Sequence, residues 1–225
     1  MNAVHLSPGR TRVSASHSQD PSDRASVSAP SGAGKTTLCE RLQQEFKDIH
    51  YAITATTRAP RPGEVNGKSY YFLSMKEFEE KLAAGRFIEN AVVHGNRYGS
   101  PKGPVEDALA EGADVVMNLD VQGAATVRDY IRSAPKSDPL KKHLVDIFVV
   151  PPSLEVLRNR LIRRGTDSME TIERRMRQSR EEISHWSEYK YMVVNDDLAE
   201  AYDNMRAIIL AERHLIANRR EEYRA

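Results

Sequence analysis

The sequence predicts an α/β protein whose core is a parallel sheet with helices on both faces. Apolar runs at residues 114–119, 146–150 and 191–194 indicate three buried strands. Helical patterns separate them, and this alternation is typical of a parallel sheet because parallel strands need long crossover connections. A glycine-rich turn at residues 29–36, followed directly by an apolar helix, is the third observation. Together they predict an α/β core.

The composition restricts the classes of function. The chain has 225 residues, which suits one domain with small insertions. Charged residues make up 29%, yet the net charge is only +1, so no overall field favours nucleic acid or an anionic membrane. No apolar run approaches the ~18 residues of a membrane span. The single cysteine, Cys39, excludes an internal disulfide and fits the cytoplasm, while a homo-oligomer stays open.

The remaining core elements follow from periodicity and turn signals. A short polar strand is expected before the glycine-rich turn, at residues 24–28, although its β-propensity is poor. The predicted helices span residues 36–46, 105–111, 122–132, 154–163, 169–186 and 198–219. A polar surface loop is expected at residues 132–143.

Two segments depart from this pattern. Residues 1–24 lack hydrophobic periodicity and are expected to be a disordered leader, with a transit peptide or an upstream start codon as alternatives. Within 59–98, turn residues surround strands at 70–72 and 87–89 and a helix at 76–84. This predicts a small α+β insertion. The main domain, residues 25–225, would then have its core at 25–58, 99–154 and 183–225.

The glycine-rich turn carries a phosphate-binding motif. The motif requires Gly, four residues, then Gly-Lys-Ser/Thr, and this chain matches it except for Ala29 in first place. Its glycines let backbone N–H groups point at phosphate oxygens, Lys35 supplies a mobile cation, and the Thr36 hydroxyl can bind Mg²⁺. An ordinary turn before a helix is the alternative. The residues assigned to ATP binding are Ala29, Pro30, Ser31, Gly32, Ala33, Gly34, Lys35, Thr36 and Thr37.

Several motifs in one order resemble the guanylate kinase family. They are TTRAPRPGEVNG at 56–67, YYF at 70–72, FIE at 87–89, GNRYGS at 95–100, DVQG at 120–123 and NDD at 195–197. The resemblance covers residues 25–213 and implies a P-loop core, a GMP-binding insertion at 59–98 and a helical lid at 155–182. It also implies transfer of a phosphoryl group from ATP to GMP or dGMP, with Mg²⁺.

The resemblance implies how GMP would be held. Arg58 and Arg61 would grip its phosphate, because guanidinium groups form parallel charge-assisted bonds with phosphate oxygens. Tyr70 and Tyr98 would donate to the same phosphate. The GMP-binding residues implied are Thr54, Arg58, Arg61, Tyr70, Glu89, Tyr98, Ser100 and Asp120. A solvated arginine pair and a surface glutamate are the plain alternatives.

Guanine recognition is assigned to Glu89, because a carboxylate can accept both the ring N1–H and the exocyclic amine. Ser100 and Thr54 resemble the hydroxyls that assist at O6. Asp120 is expected to bind Mg²⁺ with Thr36, because Mg²⁺ keeps several waters and needs few protein ligands. Relatives usually carry a further aspartate two residues earlier, where this chain has Asn118.

The remaining assignments concern the predicted lid at 155–182 and the residues expected near the adenine of ATP. Arginines crowd residues 158–177 of a nearly neutral chain, which indicates phosphate counter-ions; a solvated helix paired with glutamates is the alternative. Resemblance assigns Arg160, Arg164 and Arg175 to catalysis with Lys35, and Asn195 to the surroundings of adenine. Two rival functions stay open: a non-catalytic protein-binding module of the same fold, and a kinase of another nucleoside monophosphate.

Overall fold

A five-stranded parallel sheet forms the core of the computed structural model, which describes residues 24–93, 95–135, 138, 144–165 and 167–215. The strand order is β2-β7-β1-β8-β9. The strands are β1 (Arg24–Ser28), β2 (Ile49–Ala52), β7 (Asp114–Leu119), β8 (Leu144–Val150) and β9 (Tyr191–Val194). Neighbouring strands are parallel throughout. The predicted fold class is confirmed.

The polar sequence of β1 occupies the centre of this sheet. It pairs with β7 on one side and β8 on the other. Ser26, Val27 and Ser28 are each 0% exposed. Backbone pairing on both edges satisfies its peptide groups, so tertiary context overrides the weak local β-propensity.

Helices cover both faces of the sheet. On one face, α1 (Lys35–Glu45) and α7 (Leu198–Arg213) contribute Leu38, Leu42, Met205 and Ile209 to a cluster around Val27. On the other face, α3 (Lys102–Ala110) and α4 (Val121–Ser133) pack onto β7 through a second apolar cluster. Burial of these apolar side chains is the main force that fixes the layers.

A smaller sheet of four strands lies between β2 and α3 in the chain. Its order is β4-β3-β6-β5, with β3 (Ala55–Thr56), β4 (Tyr71–Phe72), β5 (Phe87–Val93) and β6 (Asn96–Pro101). Helix α2 (Met75–Ala83) begins at a capping box between Ser74 and Glu77. Phe78 of α2 is fully buried and stacks on Phe87, with ring centroids 4.5 Å apart. Strand β5 packs against α4, which joins the two sheets.

Two helices, α5 (Leu154–Arg164) and α6 (Met169–Ser184), form a hairpin after β8. Leu157, Leu161, Ile172 and Met176 form a small core of their own. Gly165 ends α5 in the left-handed conformation. A single 3-10 turn, Trp186–Glu188, leads from α6 to β9.

Several predicted boundaries are wrong. Strands β2, β3 and β6 were not predicted, because they are short or rich in polar residues, glycine and proline and depend on pairing with neighbours. Helix α3 begins at Lys102, ahead of Pro104, because proline is tolerated in a first helical turn. Helix α6 ends at Ser184, two residues before the predicted end. Helix α7 ends at Arg213, short of the predicted 219.

The predicted disordered leader, apart from Arg24 at the start of β1, lies outside the described residues, as does most of the predicted loop at 132–143. Within the part of the chain that the structure describes, none of the helices has the length and apolar character needed to cross a membrane.

Candidate active site

The phosphate loop connects β1 to α1. Gly34 precedes the helix with φ 93°, a left-handed conformation that glycine adopts without strain. A side chain on Gly34 would also overlap the amide of Asn195. That amide donates to the carbonyl of Ala33 over 2.6 Å. The loop is therefore held from both the helix side and the β9 side.

Lys35 lies on the first turn of α1. Its ammonium donates to the carbonyl of Leu119 at the end of β7. Loss of water around the ammonium lowers the pKa of Lys35, while the carboxylates of Asp120, Glu182 and Glu89 oppose that shift. Acidic groups on α6, on β5 and at the start of α4 therefore all act on the charge of this ammonium.

Glu182 is a part of this site that the sequence analysis missed. It lies on α6, and burial raises its pKa to about 7 although the charge of Lys35 acts in the opposite direction. Its Oε2 atom is buried. Because the helix reaches the loop only in the folded chain, no spacing in the sequence pointed to Glu182.

Glu89 and Ser100 face each other across β5 and β6. They are a register pair, and the Ser100 hydroxyl donates to Glu89 Oε1 over 2.7 Å. Glu89 is only 4% exposed. Burial raises the pKa of Glu89 to about 7, and the bond from Ser100 limits the rise. A buried carboxylate without a fixed cation suits a ligand that brings hydrogen-bond donors.

Three residues that were assigned to the GMP phosphate, Arg58, Tyr70 and Tyr98, lie next to one another. The Arg58 guanidinium lies over the ring of Tyr70, 5.3 Å from the centroid, and Tyr70 meets Tyr98 edge-on at 6.1 Å. The Glu64 carboxylate accepts two bonds from Arg58 Nη2, at 2.8 and 3.0 Å. It also accepts the backbone N–H of Arg61 at 2.7 Å. Glu64 was not among the predicted site residues.

For two of the predicted site residues, Arg61 and Thr54, the contacts described below are made by backbone atoms. Arg61 is exposed beside the turn, and it joins the group through its backbone N–H. Thr54 lies between β2 and β3, where its carbonyl accepts the N–H of Tyr71 at 3.0 Å.

Asp120 lies between the two halves of the site, at the start of α4. Its Oδ1 caps the helix by accepting the N–H of Gly123 at 2.7 Å. Two residues earlier, the Asn118 amide donates to the Tyr51 hydroxyl at 2.7 Å. Asn118 therefore braces β2 against β7 at the position where an aspartate was expected from the resemblance.

Comparison with known proteins identifies this arrangement. The family model described as guanylate kinase matches residues 24–212. The chain belongs to the guanylate kinase family. It is 48% identical over 187 residues to a guanylate kinase of Ruegeria sp. (strain TM1040), covering 83% of this chain and 82% of that protein. A guanylate kinase of Clostridium perfringens is 42% identical over the same length, covering 83% and 82%.

A solved structure supports the same assignment. The crystal structure of guanylate kinase from Anaplasma phagocytophilum covers 87% of this chain and 88% of its own, with 33% identity and a TM-score of 0.67. The predicted family is confirmed, and the enzyme class is that of a nucleoside monophosphate kinase. The non-catalytic alternative is not favoured.

The α5–α6 hairpin, which was predicted to be a lid, carries the predicted arginines in different settings. Arg160 on α5 donates to the carbonyl of Asp196 at 3.2 Å, while Arg164 at the end of α5 is exposed. Arg175 on α6 pairs with Asp167 at 3.0 Å. The hairpin adjoins the phosphate loop, because a Cβ atom built on Gly32 would lie 3.0 Å from the side chain of Leu161. The three arginines therefore have different surroundings, and all three lie on the hairpin that adjoins the loop.

The oxygen ligands near the loop suit a hard cation. Thr36 is exposed on the first turn of α1, and Asp120 keeps Oδ2 apart from its capping bond. Within the described ranges, no group of three or more His, Cys, Asp or Glu side chains could hold a metal by itself. A hydroxyl and a carboxylate oxygen are donors of the kind that Mg²⁺ accepts, with phosphates and water completing its shell.

Proposed function

We propose that the chain transfers the γ-phosphoryl group of ATP to GMP or dGMP, with Mg²⁺, giving ADP and the nucleoside diphosphate. The observation that carries this is Glu89, a buried carboxylate that accepts a hydrogen bond from Ser100. Its charge also acts on the ammonium of Lys35. Such a group matches the N1–H and 2-amino donors of guanine, which adenine does not present together.

ATP would lie with its phosphates in the loop at residues 29–37. Lys35 would exchange the Leu119 carbonyl for a phosphate oxygen, and backbone N–H groups at the start of α1 would favour the anion. Mg²⁺, held through Thr36 and Asp120, would neutralise charge on the phosphates. Asn195 would lie near adenine and would also support the loop, because its amide is bonded to the carbonyl of Ala33.

GMP would lie in the smaller sheet. Arg58, Arg61, Tyr70 and Tyr98 would bind its phosphate, with Thr54, Ser100 and Asp120 near the base and ribose. An oxygen of the GMP phosphate attacks the γ-phosphorus of ATP, and the bond from that phosphorus to the β–γ bridging oxygen breaks. No general base is needed, because the attacking phosphate is already ionised.

The lid would close over the reacting groups. Arg160, Arg164 and Arg175 would bring positive charge to the transferring phosphoryl group, as phosphoryl transfer requires positioning and charge neutralisation. Closure excludes water and so limits ATP hydrolysis. Because ATP and GMP are cytoplasmic metabolites, we place the reaction in the cytoplasm, as a step of purine nucleotide metabolism.

A coupled assay of ADP release tests this function. We expect turnover with GMP and dGMP, little with AMP or UMP, and none without Mg²⁺. Lys35→Ala should lose at least about 100-fold in kcat, since one charged donor to the transition state is removed. The exposed Lys47→Ala is the matched control and should behave as wild type. Full turnover in Lys35→Ala, or equal rates on AMP, would contradict the proposal.

A further inference from the structure

Gly123, in the first turn of α4, lies against the carboxylate of Glu89. A Cβ atom built on Gly123 would be 2.8 Å from Glu89 Oε2 and 3.3 Å from Glu89 Cδ. It would also lie 3.1 Å from Asp120 Oδ1. The first distance is shorter than ordinary van der Waals contact, so an alanine there would force a displacement.

The Glu89 carboxylate has little freedom to move away. Ser100 donates to its other oxygen at 2.7 Å, and the two residues are a register pair of β5 and β6. The side chain is buried, with only 4% exposed. Asp120 is also fixed, because its Oδ1 accepts the Gly123 N–H. A methyl group at Gly123 would therefore change the position of the carboxylate or break its bond with Ser100.

Backbone conformation does not explain the glycine. Gly123 is not among the glycines with positive φ, and it lies within a regular helix. Glycine in a helix costs roughly 0.5–1 kcal/mol relative to alanine. Gly103 in α3 is a useful contrast, because a Cβ atom there would meet nothing within 4 Å. What distinguishes Gly123 is the carboxylate that fills the space a side chain would take.

We propose that Gly123 is a specificity-determining positioning residue: its missing side chain lets the Glu89 carboxylate stay where it reads the N1–H and 2-amino group of guanine. This rests on the proposed function, because it assigns Glu89 to guanine. Gly123 acts through Glu89 and touches neither reacting phosphate. Its substitution therefore affects recognition of the base more than use of ATP.

The test compares GMP with IMP, which keeps N1–H but lacks the 2-amino group. For Gly123→Ala we expect kcat/KM for GMP to fall at least about tenfold and the GMP-to-IMP preference to shrink, since a displaced carboxylate no longer pairs with both donors. The KM for ATP should stay within about twofold, because the phosphate loop is unchanged. Gly103→Ala is the matched control and should match wild type in all three values. An unchanged GMP-to-IMP preference in Gly123→Ala would overturn the inference.

A second pair of variants keeps the test decisive if Gly123→Ala folds poorly. With Glu89→Ala as background, the added methyl no longer meets the Glu89 carboxylate and keeps only its 3.1 Å approach to Asp120 Oδ1. Gly123→Ala should then change kcat/KM for GMP less than about twofold and leave ATP binding intact. An equal loss in both backgrounds would show that the methyl acts through α4 instead. Failure of the proposed function is seen separately, as a wild-type enzyme that does not prefer GMP over IMP.

Discussion

The side-chain amide of Asn195 donates to the backbone carbonyl of Ala33 over 2.6 Å, and so ties the end of β9 to the phosphate loop. Asn195 is 4% exposed, and its backbone N–H donates to the carbonyl of Val150 at 2.8 Å. One residue thus fixes the last core strand and supports the loop. The resemblance assigned the residue to the surroundings of adenine, and that assignment stays a prediction; its amide also supports the loop that would receive the phosphates.

Replacement of Asn195 should weaken use of ATP. Asn195→Ala leaves the Ala33 carbonyl without its buried donor, which costs about 1–3 kcal/mol of unfolding free energy. We expect kcat/KM for ATP to fall about tenfold or more, because a loosened loop no longer presents its N–H groups together. Urea unfolding and steady-state kinetics at varied ATP measure the two effects. Asn204→Ala, on the exposed surface of α7, is the control; ATP kinetics as in that control would argue against the support role.

Glu64 should orient Arg58 for the GMP phosphate. The two oxygens of Glu64 bind the Arg58 guanidinium and the Arg61 backbone, and the side chains of this pair are 15% and 19% exposed for Arg58 and Glu64. Glu64→Ala frees the guanidinium to adopt other rotamers, so we expect the KM for GMP to rise about tenfold with little change in kcat.

The matched control is Glu79→Ala, which removes the partner of Arg97 from a more exposed ion pair. Its KM for GMP should stay near the wild-type value. A lower KM in Glu64→Ala would mean that Glu64 competes with the phosphate for Arg58 instead of holding it in place.

Asn118 should tolerate a carboxylate but not an apolar group. Its amide donates to the Tyr51 hydroxyl, whose pKa is raised well above its usual range, mainly by burial. In Asn118→Asp the hydroxyl can become the donor, so the bond is kept with its direction reversed. In Asn118→Leu the hydroxyl is left buried without its partner, at a cost of about 1–3 kcal/mol.

Thermal and urea unfolding of the two variants, with Tyr51→Phe for a double-mutant cycle, measure this. Equal stability of Asn118→Leu and Asn118→Asp would show that the bond contributes nothing. The Mg²⁺ dependence of Asn118→Asp then shows whether an added carboxylate near Asp120 raises activity.

Because Glu89 is buried, the effect of replacing it on the free energy of unfolding should depend on pH. The pKa of Glu89 is about 7 in the folded chain against an ordinary 4.5, so the folded state holds the proton more tightly than the unfolded state. Folding stability from this group is therefore full at low pH and is lost as pH rises towards 7. Glu89→Gln removes the titration, so its stability relative to wild type should increase by up to about 3 kcal/mol between pH 4 and pH 8.

Urea unfolding across that range measures the difference, and Glu79→Gln, at a carboxylate that is 45% exposed, is the control. A constant difference between Glu89→Gln and wild type would mean that the carboxyl titrates normally. At neutral pH the same Glu89→Gln variant should lose most of its efficiency with GMP, because an amide cannot accept both guanine donors.

Local sequence was sufficient for much of the fold. Three apolar strands, the amphipathic helices and the glycine-rich turn were predicted because short-range periodicity and turn chemistry act within one segment. Short strands and the ends of helices were harder to predict from the sequence. Strand β6 contains glycine and proline and forms only because β5 and β3 pair with it, and α3 starts ahead of a proline.

The candidate site also contains residues that the sequence predicted and residues that only the folded structure brings together. The phosphate loop was predicted from a motif of adjacent residues, whereas Arg58 and Glu89 were assigned because their motifs resemble those of a family. The sequence could not predict Glu182 beside Lys35, Glu64 on Arg58, or the bare α-carbon of Gly123 against Glu89. Glu182 and Gly123 meet their partners across different elements, and Glu64 meets Arg58 through a turn. The packing of the two sheets, of the α5–α6 hairpin and of that turn decides which side chains meet.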